Sequence, residues 1–373
     1  MAGSSYGTIF RVTTWGESHG KGIGAVVDGC PAGLPLSEED IQAYLDRRKP
    51  GQSKFTTARQ EGDQVEILSG VFEGKTTGTP IALEVRNKDQ RSKDYGNIMD
   101  VYRPGHADYT FDQKYGFRDY RGGGRSSGRE TAGRVAGGAV AAKLLESLGI
   151  RVYAYTRSIG PIEIAPERMD LAERDKNRLY MPDARAALEA EAYLERLMAE
   201  KDSSGGVVEC VIEGLPAGIG EPVFEKLDAN LAKAILSIGA VKGFEIGSGF
   251  GAAAMRGSEN NDAFAVAGRG GASPAAVKRT NHAGGTLGGI SDGSPVVFRA
   301  AFKPTPSIAR PQHTVDRFGR EQEIEIKGRH DPIIVPRAVV VVEAMAALTA
   351  ADLLLLSMSS RLDRIQAFFG TGE

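Results

Sequence analysis

The sequence has two cysteines, Cys30 and Cys210, one tryptophan, five histidines and almost no net charge. Two cysteines cannot build a disulfide framework, so a reducing, cytoplasmic setting is the expectation. Lys plus Arg is 46 and Asp plus Glu is 48, a formal net charge of −2, which excludes a surface given over to nucleic acid or membrane. The N-terminus, MAGSSYGTIFRVTTWGESHGKG, lacks the apolar stretch of a signal peptide and carries Glu17. No uninterrupted apolar run approaches the ~18 residues of a membrane span. No HExxH, paired CxxC or EF-hand loop is present, so no metal site is expected. There is no G-x-G-x-x-G after a clear strand either, and RGGGRSSGRE at 121–130 misses that spacing.

Glycine is the residue in excess: 48 of 373, close to 13%, against ~7% in average usage. With no G-X-Y period, the excess asks for many backbone positions of positive φ or close approach. Hydrophobic residues make up 41%, enough for a sizeable core.

Alternating apolar and polar residues predict strands joined by tight turns over 63–86, and further strands at 206–215, 293–303 and 322–327. GKGIGAVVDG, from 20, reads as a strand running into a turn. Helices are predicted at 37–48, opened by Ser37, at 129–148, at 183–201 behind Asp183, and at 336–357. Strands and helices are interspersed without a regular βαβα rhythm, so the fold class is α+β, in a single domain over 1–373. The charged segment 163–201 reads as a solvated face. SHGKGIGAVVDGCP (18–31) echoes NHAGGTLGGISDGSP (281–295), PGHAD (104–108) echoes GRHD (328–331), and each half ends in a long small-residue helix. Either an internal duplication or chance among glycines accounts for this.

Two motifs invite a reading that their context resists. GESHG at 16–20 fits the nucleophile elbow of a serine hydrolase, with Ser18 as nucleophile, but that elbow needs a helix after the turn. SGVFEGKTTG at 69–78 has three residues between Gly70 and Gly74, where a P-loop needs four, so a hairpin turn is the better reading.

The stronger signal is arginine. Over 115–134 arginines stand at 118, 121, 125, 129 and 134 against Asp119 and Glu130, a net of 5 − 2 = +3. Residues 47–60 hold five bases and no acid. Guanidinium groups on glycine-flanked loops suit bidentate grip of phosphate and carboxylate. Arg125-Ser126-Ser127, just ahead of a helix, adds hydroxyls and helix-start N–H groups. KPTPS at 303–307 is a second phosphate cradle in outline. His19 and His106 lie in charged loops where proton transfer near neutral pH is available. These residues describe an enzyme for a multiply anionic small molecule, with a phosphorylated cofactor in reach.

TTWGESHGKGIGAVVDGCPAG, RPGHADYT, YRGGGRSSGRETAGRVA, TNHAGGTLGGISDG, FKPTPSI and KGRHDP, in that order from about residue 7 to 355, resemble the chorismate synthase family, most closely its short bacterial members. The resemblance implies a β-α-β sandwich with helices packed between two antiparallel sheets, and a homotetramer. It implies an anti-1,4-elimination of phosphate from 5-enolpyruvylshikimate 3-phosphate, giving chorismate, with reduced FMN required and no net redox change. Carried over residue by residue, Arg48, Arg103, Ser127, Arg129 and Glu130 resemble the substrate grip. Arg48, Lys54, Arg125, Ser126, Ser127, Gly239, Ala240, Gly288, Lys303, Pro304, Thr305, Pro306, Ser307 and Arg329 resemble the cofactor site. His19 is implied to protonate the leaving phosphate and His106 to protonate or polarise the reduced flavin. Asp331 is implied to help relay the ring proton through the flavin. Lys54 departs from a common Arg and loses the planar fork; Gly239 departs from Asn and retains only a backbone contact. Trp15 beside GESHG either covers the site or packs. With no nicotinamide fingerprint, an external flavin reductant is expected, and NADPH enters only as an indirect source of electrons.

Overall fold

A computed structural model describes residues 3–51, 55, 62–88, 99–266, 276–326 and 331–370. Two five-stranded sheets carry the fold, and every pairing in both is antiparallel. The first runs, in spatial order, Ser5–Tyr6, Arg11–Gly16, Gly22–Asp28, Ile81–Arg86, Val65–Ile67. The second runs Val241–Ile246, Val296–Phe302, Gly206–Glu213, Arg151–Ile159, Ile162–Glu163. Alternation sets which face is buried: along Val296–Phe302 every second side chain enters the core.

The space between the sheets is filled by helices. Thr131–Glu146 packs on the first sheet, Val335–Leu356 on the second, and the two pack on each other. The small residues of Thr131–Glu146 are what permit this. A Cβ on Gly137 would come within 2.8 Å of Val12, and one on Gly138 within 2.3 Å of the Ala344 Cβ. Helix Glu38–Arg48 lies beside them, closed at its start by a capping box between Ser37 and Asp40. One apolar cluster runs through all of these layers, from Phe10 to Leu353. The α+β class and the sandwich expected from the resemblance are both present.

Helix Val335–Leu356 is long and apolar enough to cross a membrane by composition, which the expectation from uninterrupted runs passed over. It is instead the buried centre of the protein. Its two acids serve internal partners: Glu343 pairs with Arg47, and Asp352 accepts the backbone N–H groups of Thr8, Ile9 and Phe10.

With strands numbered one to five in chain order within each sheet, the first reads 1-2-3-5-4 and the second, reversed, 2-1-3-5-4. Each sheet is also followed by one long buried helix. The halves therefore match in topology apart from an exchange of the two outermost strands on one side. The sequence echo does not follow this match. Residues 18–31 supply the central strand of the first sheet, whereas 281–295 form a two-residue hairpin ahead of Val296–Phe302. The segment 163–201 is not simply a solvated face: Leu179, Met181, Ala186, Ala190 and Leu194 are buried.

Candidate active site

A cleft of about 600 Å³ opens where the start of helix Thr131–Glu146, the loop at 105–107, the segment 237–242, the strand end at Phe302–Lys303 and the start of helix Val335–Leu356 converge. Among the described residues, six cations face it (Arg48, Arg125, Arg134, Lys242, Lys303 and Arg337) against Glu130 and Asp331, a net of 6 − 2 = +4 on a chain of −2. Ile238, Ala240, Phe302, Ile334, Ala338 and Val341 give it an apolar floor. Charge on the walls and carbon on the floor suit a phosphorylated ring compound.

Many of the arginines have protein partners. Arg48 and Arg129 both donate to the fully buried Asp63 carboxylate, from Nη2 and Nη1 respectively. Arg48 also reaches Thr131, and Arg129 Nε donates to Asn87. Arg103 holds Asp108 through Nε and Nη2, each at 2.8 Å. Arg134 holds Glu130, which also accepts the Thr14 hydroxyl. Arg125 donates to the Gly16 carbonyl at 3.0 Å and to Thr14 Oγ1 at 2.7 Å. The planar fork that suits a ligand phosphate pairs equally well with a protein carboxylate, and composition alone does not separate the two uses.

Of the residues implied by the resemblance, Arg48, His106, Arg125, Ser126, Ser127, Glu130, Gly239, Ala240, Lys303, Pro306 and Asp331 line the cleft. Ser127 caps the turn that leads into helix Thr131–Glu146, so the cleft meets that helix at its N-terminal end. His106 Nε2 lies 2.8 Å from Ser307 Oγ, which places Ser307 behind the histidine. Arg103 is not a lining residue: it is buried, and its pair with Asp108 braces the loop that carries His106, whose N–H bonds the Arg103 carbonyl. Arg103 and burial act oppositely on Asp108, and the guanidinium prevails, holding its carboxyl below the usual range.

His19 is not a lining residue either. Its Nδ1 lies 3.1 Å from Ser18 Oγ, and Ser18 donates to the Gly122 carbonyl. Gly122 has φ +65, and a Cβ there would lie 2.3 Å from the imidazole. The glycine run thus seats His19 at one end and presents Arg125 to Ser127 to the cleft at the other. Pro304 and Thr305 do not line the cleft, though the Thr305 hydroxyl is buried without a hydrogen-bond partner among the described residues. Gly288 sits in the turn of the hairpin formed by Thr286–Leu287 and Ile290–Ser291 and is also outside the lining. His282 bonds Asp262, not the cleft. Trp15 lies across Gly24 of the neighbouring strand, a packing role. Lys54, Arg329 and His330 lie outside the described residues.

The serine-hydrolase reading fails on geometry. GESHG connects strand Arg11–Gly16 to strand Gly22–Asp28 with no helix after the turn, and Ser18 is buried. The P-loop look-alike is a hairpin of Val71–Phe72 and Lys75–Thr76. Among the charged lining residues, the sequence reading missed Lys242 and Arg337 and gave Arg134 no role beyond its place in the arginine cluster. Arg134 had a signal, four residues after Glu130 on a helix. Lys242 and Arg337 had none.

The chorismate synthase family model matches residues 10–355. A chorismate synthase from Agathobacter rectalis is 68% identical over 369 residues, 99% of each chain. Another from Lachnoclostridium phytofermentans is 65% identical over 99% of this chain and 100% of its own. A crystal structure of chorismate synthase superposes with a TM-score of 0.76 at 34% identity, covering 98% of this chain and 97% of the other. Fold, cleft and these matches together define a carbon–oxygen lyase of aromatic amino acid biosynthesis. The chain belongs to the chorismate synthase family.

Proposed function

We propose that this cleft carries out the anti-1,4-elimination of phosphate from 5-enolpyruvylshikimate 3-phosphate, forming chorismate, with reduced FMN as required cofactor and no net redox change. The observation that carries the reading is the +4 wall over an apolar floor. The substrate brings one phosphate and two carboxylates, and FMN brings a further phosphate on a flat ring system. Arg48, Ser127, Lys303 and Ala240 line the cleft and would hold the two molecules, joined by Arg134 and Lys242. Bound reduced FMN supplies transient electron density to the ring that loses phosphate.

The chain's own groups bind, orient and move protons. Arg48, fixed together with Arg129 by Asp63, holds the substrate anions. Glu130 keeps Arg134 in place. His106, its ring fixed by Ser307, would polarise the bound flavin. His19 protonates the departing phosphate, and Asp331 takes up the ring proton on its carboxylate. The apolar floor keeps water from the reacting atoms. The same reading takes the enzyme as a cytoplasmic homotetramer supplied by an external flavin reductant, with NADPH an indirect electron source.

The test is an anaerobic assay with dithionite-reduced FMN and the phosphate substrate. Chorismate should appear in many turnovers per flavin. Its absence overturns the activity, and steady formation in air with oxidised FMN and no reductant overturns the cofactor requirement.

A further inference from the structure

We infer that Arg337 is a positioning residue that fixes the Asp331 carboxylate on the cleft wall and ties it to the segment bearing Arg48. The inference rests on the reading of Asp331 as proton acceptor. Asp331 stands on irregular backbone just before helix Val335–Leu356, and regular structure does not set its direction. Arg337, on the first turn of that helix, donates from Nη1 to Asp331 Oδ2 at 2.7 Å. Its Nε donates to the Arg48 carbonyl at 3.1 Å, at the C-terminal end of helix Glu38–Arg48. One planar group therefore references a loop carboxylate to two helix ends at once.

The helix that carries Arg337 is a rigid mount, since its next two dozen ångströms run through the core: buried residues continue from Val335 to Leu353 with one break at Arg337 itself. The side chains of the pair are only 20% and 12% exposed. All three residues face the same cleft, so Arg337 holds the distance between the proton acceptor and the anion grip. Lysine could keep the charge but not both bonds, because a single ammonium on a flexible stem lacks the fork.

The experiment is a double-mutant cycle on the full chain: R337A, D331N and the pair, with R337K as the conservative variant. Turnover is measured in the reduced-flavin assay, and substrate affinity by calorimetry with oxidised FMN. R337A should lower kcat by about 10²-fold, the scale of a misplaced reacting group, while substrate affinity changes by less than about threefold. In the D331N background R337A should cost nothing further, since its effect passes through the carboxylate. R337K should recover part of the loss. Normal kcat in R337A overturns the inference. So does a tenfold loss of substrate affinity that persists in D331N, which would make Arg337 a substrate ligand. D331N with normal kcat overturns instead the reading of Asp331 itself. If R337A does not fold, R337Q carries the same cycle.

Discussion

Arg48 donates to Asp63 in a pair whose side chains are 2% and 0% exposed, and the second Asp63 oxygen takes Arg129. One carboxylate thus holds Arg48, of the proposed substrate grip, beside Arg129. Without it, two buried guanidinium groups would repel each other in a medium that screens poorly. Asp63→Asn keeps the shape and removes the charge. The expected cost is about 3 kcal/mol, the lower end for breaking a buried pair from one side. Urea denaturation of the two proteins checks it, and an unchanged midpoint would falsify the bridging role.

The same pair gives a pH signature. Burial raises the Asp63 carboxyl, Arg48 and Arg129 lower it, and the arginines prevail, so its folded pKa is depressed. A depressed carboxylate contributes stability that is present above its unfolded value of ~3.9 and is lost as pH falls through the folded value. Wild type should therefore lose part of its stability below about pH 4, and Asp63→Asn should show a shallower acid limb. Parallel acid limbs would place the titration elsewhere.

Gly138 tests the packing of the two central helices. An alanine normally improves a helix interior by about 1 kcal/mol over glycine. At Gly138 the added Cβ would meet Ala344 at 2.3 Å, with the Ala344 carbonyl at 2.8 Å, and backbone cannot yield as a side-chain tip can. Gly138→Ala should therefore destabilise by about 2 kcal/mol, within the range for overpacking, despite the better propensity. A rise in Tm would mean that the helices can move apart freely.

Helix positions were legible because periodicity and caps are local: the segment predicted at 37–48 is Glu38–Arg48, and that at 183–201 is Ala184–Ala199 behind Asp183. Strands Arg151–Ile159 and Val241–Ile246 were not. The first is buried on parts of both faces, and the second begins at a β-bulge, so neither shows clean alternation. Within the cleft, the loop motifs carrying His106, Ser127 and Lys303 were visible as unusual local clusters. What the sequence could not apportion was which arginines face the cleft and which pair with carboxylates. Asp63 and Arg48 are only fifteen residues apart, yet nothing in either neighbourhood marks the acid as the partner of Arg129 as well. Arg337 is hidden for a similar reason: its partner Asp331 is fixed by folding, not by a repeat.

Ala240 lines the cleft with φ +72, in the left-handed region that favours glycine. Its carbonyl accepts the Lys303 N–H at 3.0 Å, so the strained residue holds the strand end that presents Lys303. A β-branched side chain there should add at least about 1 kcal/mol of strain, because a bulky residue tolerates positive φ less well than alanine. Ala240→Val should lower Tm and weaken flavin binding together, while Ala240→Gly should keep both. Fluorescence quenching of FMN beside a thermal melt reads out the two effects. Full flavin affinity in a destabilised Ala240→Val protein would separate the backbone geometry from the site.

The histidines make the sharpest test of proton handling, because structure treats them differently. His106 faces the cleft with Ser307 behind it. His19 is held by Ser18 beside Gly122, at the far end of the loop that delivers Ser127. If each supplies a proton, removal of the imidazole leaves binding to the arginines and slows the chemical step. His106→Ala and His19→Ala should each lower kcat by at least about 10²-fold, the lower bound for general acid catalysis, with KM changing less. His313 is the control: it lies exposed on strand Gln312–Val315, and its alanine variant should keep both constants. Bracing gives a different pattern. A His19 that only seats the glycine loop would, when removed, lower Tm and degrade kcat and KM together, because Arg125 to Ser127 would lose their mount. Ser307→Ala separates the cases further. It leaves the His106 ring in place but unfixed, so a kcat loss smaller than that of His106→Ala is expected. Stable His19→Ala and His106→Ala proteins with normal kcat would remove both residues from the reaction.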